Sequence, residues 1–247
     1  MSERPVLVLG ATSGIARAVA TELAKDGRPL YLAGRDLPEL WRVASDLKIR
    51  YGVDVNVGVF DAEDTKSHEA FLQNVVNRTG SLGGAVLAVG YLGDQAECEA
   101  DPQLAQAVIA RNYAGVASIL LYLAKHFEET RTGFLVGISS VAGDRGRYSN
   151  YVYGSAKAGL TALLQGLRSR LQKVGVTVLT VKPGFVDTAM TYGKEGMFKV
   201  ATPEQVAKRI VKAVRRRKDV IYVPKFWRWI MFVVRSIPEK HFKKMKF

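Results

Sequence analysis

The chain has 247 residues, 48% hydrophobic and 24% charged, an ordinary globular composition that excludes intrinsic disorder and a collagen-like repeat. Its formal net charge is +13, yet 14 of the 36 Lys and Arg fall between Lys208 and Phe247, where only Asp219 and Glu239 oppose them. The chain therefore reads as a near-neutral body with a basic end, and no nucleic-acid-reading motif accompanies the Arg215 to Lys218 run, so no nucleic acid is expected as a partner.

Residues 1–5 run straight into the apolar stretch Val6 to Leu9, too short and too acidic for a signal peptide. With one cysteine, Cys98, and three histidines there is neither an internal disulfide nor a zinc-spaced cluster. The expectation is a cytoplasmic protein without a metal.

Short apolar runs then alternate with helix-period segments, the signature of βαβ units and a parallel sheet. The predicted strands are Val6 to Leu9, Pro29 to Ala33, Val53 to Phe60, Gly84 to Val89, Gly133 to Ser139, Val176 to Val181 and, more weakly, Val220 to Val223. The predicted helices are Ile15 to Asp26, Leu37 to Tyr51, Thr65 to Thr79, Pro102 to Glu129 and Tyr151 to Val174, four of them followed by a glycine at Gly27, Gly52, Gly80 and Gly175. The fold expected is α/β, a Rossmann-like doubly wound parallel sheet with helices on both faces. It spans residues 1–223 as one domain and carries a basic, aromatic C-terminal appendage, residues 224–247.

The first strand leads into Gly10-Ala-Thr-Ser-Gly14-Ile-Ala16 and then a helix, the setting a dinucleotide phosphate site requires. Gly10 permits the tight turn, Gly14 admits a pyrophosphate close to the backbone, and the helix N-terminus supplies N–H donors. An ordinary strand-to-helix turn would look similar on this element alone. The second strand ends in Gly34-Arg35-Asp36, where a carboxylate would hydrogen-bond a ribose 2′-hydroxyl. A glycine holds that edge and Arg35 follows, so a guanidinium fork can meet a 2′-phosphate, which favours NADP(H) over NAD(H). The alternatives are that Asp36 takes the ribose or that Arg35 only caps the turn.

Tyr153 and Lys157 stand four residues apart on one helix face, Ser140 closes a strand 13 residues before Tyr153, and Asn112 lies on the preceding long helix. Reducing a carbonyl leaves an alkoxide that must take a proton, and a free tyrosine near pKa 10 is a poor acid-base group at neutrality. A lysine ammonium about 4 Å away, at an effective dielectric of about 20, offers roughly 4 kcal/mol, enough to bring Tyr153 near neutrality. Ser140 would polarise the substrate carbonyl, and Asn112 would hold a water that resupplies protons through Lys157.

In these residues the chain resembles the short-chain dehydrogenase/reductases over at least residues 5–223. The resemblance implies a phosphate turn at Gly10, Thr12, Ser13, Gly14 and Ile15, with Ala16 in place of a third glycine. It implies an adenine contact at Asp61 and Ala62, and catalysis by Asn112, Ser140, Tyr153 and Lys157, the last two also touching the cofactor. Nicotinamide contacts fall to Pro183, Gly184, Val186 and Thr188. In the loop after the fourth strand the family's Asn-Asn-Ala-Gly is replaced by Ala88-Val89-Gly90, so only Gly90 carries over and support of the central sheet by asparagine is absent or supplied otherwise. The family commonly forms dimers or tetramers.

The stretch from Ser140 to Lys157, with Phe226-Trp-Arg-Trp-Ile230 and Ile237-Pro-Glu239, further resembles reductases of decaprenylphosphoryl 2-keto-sugars. That branch implies a lipid-linked ketone, or the matching secondary alcohol, as substrate. Ala189 to Val200 reads as a lid over the site. Phe226 to Val234 is apolar, tryptophan-bearing and flanked by basic residues up to Lys246, too short for a membrane span but suited to an anionic membrane surface. It would equally suit docking on its own domain or on a partner subunit. A soluble 3-oxoacyl or small-carbonyl reductase and a non-enzymatic NADP-binding regulator remain the other functional classes.

Overall fold

A computed structural model describes residues 4–193 and 196–245; residues 1–3, residues 194 and 195 of the predicted lid, and residues 246 and 247 lie outside the described residues. Seven strands form one parallel sheet: β1 (Val6–Leu9), β2 (Leu30–Gly34), β3 (Val55–Val59), β4 (Gly84–Leu87), β5 (Phe134–Ile138), β6 (Thr177–Pro183) and β7 (Val220–Val223), in the order β3-β2-β1-β4-β5-β6-β7. The helices are α1 (Gly14–Lys25), α2 (Leu37–Tyr51), α3 (His68–Thr79), α4 (Gln95–Ala100), α5 (Pro102–Ile109), α6 (Gly115–Thr130), α7 (Tyr151–Gln172), α8 (Pro203–Arg215), α9 (Trp227–Ser236) and α10 (Glu239–Phe242).

The central strands β1, β2, β4 and β5 are buried along their whole length, which is why they read as unbroken apolar runs rather than alternating ones. One face of the sheet packs against α1, α2 and α8 through residues such as Val19, Leu40 and Ile210, and the other against α3, α6 and α7 through Leu72, Phe127 and Leu164. The strand order reverses direction between β1 and β4, and at such a switch point the carboxyl ends of the strands open a crevice.

Two departures from the predicted elements matter for the site. The long helix expected over 102–129 is divided by a π-helical turn, Ala110–Ala114, which carries Asn112; π turns interrupt helices mostly where a side chain must be aimed. Helix α8 was not anticipated, although its start is written in the sequence: Thr202 and Gln205 form a reciprocal capping box with Pro203 at the first turn. Helix α8 and the turn after it carry seven of the 14 basic residues counted from Lys208, those from Lys208 to Lys218, and lie within the expected domain of residues 1–223.

The C-terminal segment is docked. Trp227 and Met231 of α9 are buried against Val141, Phe185 and Tyr222. Arg145 clasps the segment: its Nη1 donates to the carbonyls of Val234 (2.7 Å) and Ile237 (2.6 Å), its Nη2 donates to Glu239 (2.8 Å), and its guanidinium stacks 3.6 Å over Phe242.

Candidate active site

At the C-terminal end of β1 the chain turns at Gly10, which adopts φ +72°; a Cβ there would stand 2.9 Å from the Ala88 carbonyl oxygen, so only glycine lets the turn lie against β4. Ser13 caps α1 by accepting from the Ala16 N–H at 3.4 Å, leaving the first turn of the helix open to the crevice. The crevice, about 420 Å³, is lined by Gly10, Thr12, Ser13, Gly34, Arg35, Asp36, Asp61, Ala62, Gly90 and their neighbours. It therefore gathers Gly10, Thr12 and Ser13 of the expected phosphate turn with the residues expected for the 2′-position and the adenine.

Two details refine those assignments. Asp36 accepts from the Glu39 N–H at 3.0 Å and so caps α2, while Arg35 is exposed and faces the crevice. Asp61 accepts from the Glu63 N–H at 3.0 Å and its carbonyl meets His68 Nε2 at 3.0 Å, which fixes the corner after β3. Arg111 was not singled out from sequence; it lines the same crevice, lies 4.8 Å over the Tyr91 ring and pairs with Glu63 at 2.6 Å.

The crevice continues into a second cavity of about 400 Å³, lined among others by Gly14, Ile15, Ser140, Tyr153, Lys157, Pro183, Gly184, Val186 and Thr188. Ser140, at the end of β5, caps a 3-10 turn, Val141–Asp144, by accepting from the Ala142 N–H at 3.1 Å, and lines the cavity together with Tyr153. Tyr153 and Lys157 are one turn apart on α7. Lys157 is 2% exposed, donates from Nζ to the Ile138 carbonyl at 3.1 Å and lies 5.6 Å from the centroid of the Tyr153 ring. The adjacent Ser139 points the other way, into the core, bonding the Lys157 carbonyl at 3.0 Å and Thr161 at 2.7 Å.

The electrostatics correct one expectation. Burial pushes the Tyr153 phenol up to about 12, outweighing the lowering influence of the Ser140 hydroxyl, and burial brings the Lys157 ammonium down to about 8. Desolvation penalises the charged form of each group and moves Tyr153 away from the neutrality that its neighbour Lys157 was expected to bring. At neutral pH the phenol therefore keeps its proton.

Asn112 is fully buried, and its amide is taken up by backbone: Nδ2 donates to the carbonyls of Tyr91 (2.5 Å) and Val108 (2.8 Å), and Oδ1 accepts from the Tyr91 N–H (3.1 Å). These bonds tie the π turn to the segment just after Gly90. A Cβ on Gly90 would meet Asn112 Oδ1 at 3.4 Å and Lys157 Nζ at 3.6 Å, so the three residues share one small space.

Sequence reading missed a wall of the cavity. Trp227 of α9 lines it and is seated on Gly184, where a Cβ would stand 1.9 Å from the indole nitrogen. The same ring lies 5.5 Å from Phe185 and 5.4 Å from Phe198 of the predicted lid. The Phe226-Trp-Arg-Trp pattern marked the segment as aromatic but carries no periodicity that says which tryptophan turns inward. Among the described residues no cluster of His, Cys, Asp and Glu could hold a metal.

A family model described as short chain dehydrogenase matches residues 4–197. The chain is 37% identical over 241 residues to an uncharacterized oxidoreductase of Mycobacterium tuberculosis, covering 98% of this chain and 96% of that one. It is 38% identical over 244 residues to an uncharacterized oxidoreductase of Streptomyces coelicolor, again with 98% and 96% coverage. Among solved structures, an actinorhodin polyketide ketoreductase variant with NADPH superposes with a TM-score of 0.82 at 24% identity, covering 92% of this chain and 98% of that chain. A short-chain dehydrogenase from Sphingobium yanoikuyae in complex with NADPH gives 0.81 at 24% identity, with 96% and 97% coverage.

Proposed function

The chain belongs to the short-chain dehydrogenase family, an NAD(P)-dependent oxidoreductase by that membership, and from this premise we propose that it reduces a ketone to a secondary alcohol with NADPH. One observation carries the reading: Tyr153, Ser140 and Lys157 meet in one apolar cavity, where the crevice lined by the Gly10 turn opens into it.

The residues present fit the cofactor. The Gly10 turn leaves a cradle that a Cβ would fill, the first turn of α1 offers N–H groups and its dipole end to the pyrophosphate, and Arg35 offers a guanidinium to a 2′-phosphate. Pro183, Gly184, Val186 and Thr188 border the nicotinamide end. NADPH bound there supplies the hydride.

The protein's own groups handle the proton. Ser140 holds the substrate oxygen, and Tyr153, protonated throughout the neutral range, gives up its hydrogen as that oxygen gains charge, since an alkoxide is a far stronger base than a phenolate. The Lys157 ammonium, still charged at pH 7, stabilises the phenolate left behind and returns a proton to it. Asn112 acts as a positioning residue, fixing the Tyr91 backbone beside Gly90 and Lys157.

The substrate of this reading is lipid-associated, a lipid-linked keto-sugar in particular. The cavity wall is largely apolar, with Leu92, Val141, Phe185, Met190 and Trp227. Beyond the wall, α9 turns Trp229 (69% exposed), Phe232 (57%) and Val233 outward between Arg228 and Arg235. An apolar face framed by cations suits the surface of an anionic membrane. The experiment is NADPH oxidation measured against lipid-linked keto-sugars, 3-oxoacyl thioesters and small ketones. A specificity constant highest for the lipid-linked ketones is the expected result; preference for the thioesters would replace the lipid reading with the soluble one.

A further inference from the structure

His68 opens α3 and is fully buried, 0% exposed, while His126 is half-buried and His241 exposed. Burying an imidazole carries a desolvation cost that an aliphatic side chain in the same space avoids, so its two nitrogens must do something that packing alone does not. Both are engaged. Nε2 lies 3.0 Å from the Asp61 carbonyl oxygen, and Nδ1 lies 3.0 Å from the Ser118 hydroxyl of α6. A carbonyl only accepts, so Nε2 carries the proton and donates it, and Nδ1 of the neutral ring accepts from Ser118. The ring also stacks on Phe60, the two centroids 5.0 Å apart and the planes at 26°.

These contacts converge on three consecutive residues. Phe60, Asp61 and Ala62 all line the crevice that begins at the Gly10 turn, whereas His68 itself lines neither the crevice nor the cavity beyond it. The Phe60 N–H still bonds the Gly34 carbonyl at 3.0 Å, and after it the chain leaves the sheet. From there the corner is held by its neighbours on two helices. His68 of α3 takes the Asp61 carbonyl, and the start of α6 is pressed against the next one, since a Cβ on Gly115 would stand 1.8 Å from the Ala62 carbonyl oxygen. Ser118, one turn further along α6, orients the imidazole. One buried side chain therefore ties together the end of β3, α3 and α6 at a wall of the crevice.

We infer that His68 is a positioning residue for the adenine end of the cofactor: by holding the Asp61 carbonyl and the Phe60 ring it sets the wall against which the adenine is bound, without touching the cofactor itself. This rests on the proposed reading of the crevice as a dinucleotide site. Loss of His68 then reaches the adenosine half of NADPH and spares the nicotinamide half, which Pro183 and Gly184 border at the end of β6.

The test separates the two halves on the full-length protein. Adenosine 2′,5′-bisphosphate probes the adenosine end by calorimetry, and reduced nicotinamide mononucleotide probes the other end by its fluorescence. H68F keeps a ring to stack on Phe60 but has no donor for the Asp61 carbonyl. It should bind the bisphosphate about tenfold more weakly than wild type, and NADPH by the same factor, with the mononucleotide within about twofold. H68Q, whose amide can return an N–H to that carbonyl, should come back to within about threefold of wild type. Ser118→Ala keeps the Asp61 bond but removes the partner that orients the ring; it should weaken the bisphosphate by about threefold and carries the test should H68F fail to fold. An unchanged affinity for the bisphosphate in folded H68F, or in Ser118→Ala where H68F does not fold, overturns the role of His68, as does a loss shared equally by the mononucleotide. Wild type that binds neither probe would instead overturn the dinucleotide reading, and this inference with it.

Discussion

Lys157 Nζ donates to the Ile138 carbonyl at 3.1 Å while lying 5.6 Å from the centroid of the Tyr153 ring, so a single buried cation joins the end of β5 to the face of the phenol. Its proton is lost near pH 8, whereas Tyr153 holds its own until about 12. In the reductive direction kcat should therefore fall as pH rises through about 8, with no second break from Tyr153 below about 11. A steady-state pH profile with NADPH checks this; a flat profile from pH 7 to about 10 would detach Lys157 from the proton path. Tyr153→Phe should lose at least about a hundredfold in kcat while binding NADPH normally.

The same lysine has an effect on stability with a definite sign. Its pKa in the folded protein, about 8, lies below the ordinary 10.5, so between those values the unfolded chain holds more protons and stability rises with pH. At pH 7 the burial of this ammonium costs up to about 3 kcal/mol, which Lys157→Met should recover in part, less the cost of leaving the Ile138 carbonyl unpaired. Urea midpoints of the two proteins at pH 7 and pH 10 should converge as the wild type gains stability. A variant less stable than wild type at both pH values would contradict this account.

Cofactor choice is predicted to separate cleanly between neighbours. Arg35→Ala removes an exposed guanidinium facing the crevice and should weaken NADPH binding by about tenfold with NADH little changed. Asp36→Ala instead removes the cap of α2, bonded to Glu39 at 3.0 Å, and should cost about 1 kcal/mol of stability without shifting cofactor preference. Fluorescence titration of both cofactors against both variants distinguishes the two roles.

The parallel sheet was legible because its strands are covered on both faces and so spell continuous Val, Leu and Ile. That Tyr153 and Lys157 come together in one cavity was legible because residues four apart on a helix must share a face. Where the reading failed, the deciding forces act across long stretches of chain. That Asn112 interrupts its helix depends on a bond to Tyr91, 21 residues earlier, and that Trp227 turns inward depends on a bare Gly184, 43 residues earlier. The Tyr153 acidity was misjudged for a related reason: spacing places a charge beside the phenol, but only the folded interior sets how strongly both are desolvated.

Behind the cavity wall, Asp144 joins the 3-10 turn after Ser140 to β6 and β7, with Lys182 on one oxygen and Tyr222 on the other. Its side chain is 1% exposed and that of Lys182 is 8% exposed. Asp144→Ala leaves the lysine buried without its partner, which typically costs about 3–5 kcal/mol, and the loss should be visible as a lowered urea midpoint. Replacing Asp144 and Lys182 together by apolar residues should recover much of it. A single variant within about 0.5 kcal/mol of wild type would show that the pair contributes little to holding this wall.

The outer face of α9 offers the cleanest test of a membrane surface, because truncation does not. Removing the segment from residue 225 onward would uncover Val141, Phe185 and Gly184 along with the lost Trp227, and a failure to bind vesicles would then report damage to the fold. Trp229 and Phe232 point away from that contact, so Trp229→Gln combined with Phe232→Gln should leave urea stability and turnover of a small soluble ketone within about twofold of wild type. The double variant should still lose at least about tenfold in affinity for anionic vesicles, since each buried aromatic and each nearby Lys or Arg contributes on the order of 1 kcal/mol or more. Zwitterionic vesicles should bind both proteins weakly, and raising the salt should bring wild type towards the variant. Equal co-sedimentation of wild type and double variant would show that α9 serves the cavity wall alone.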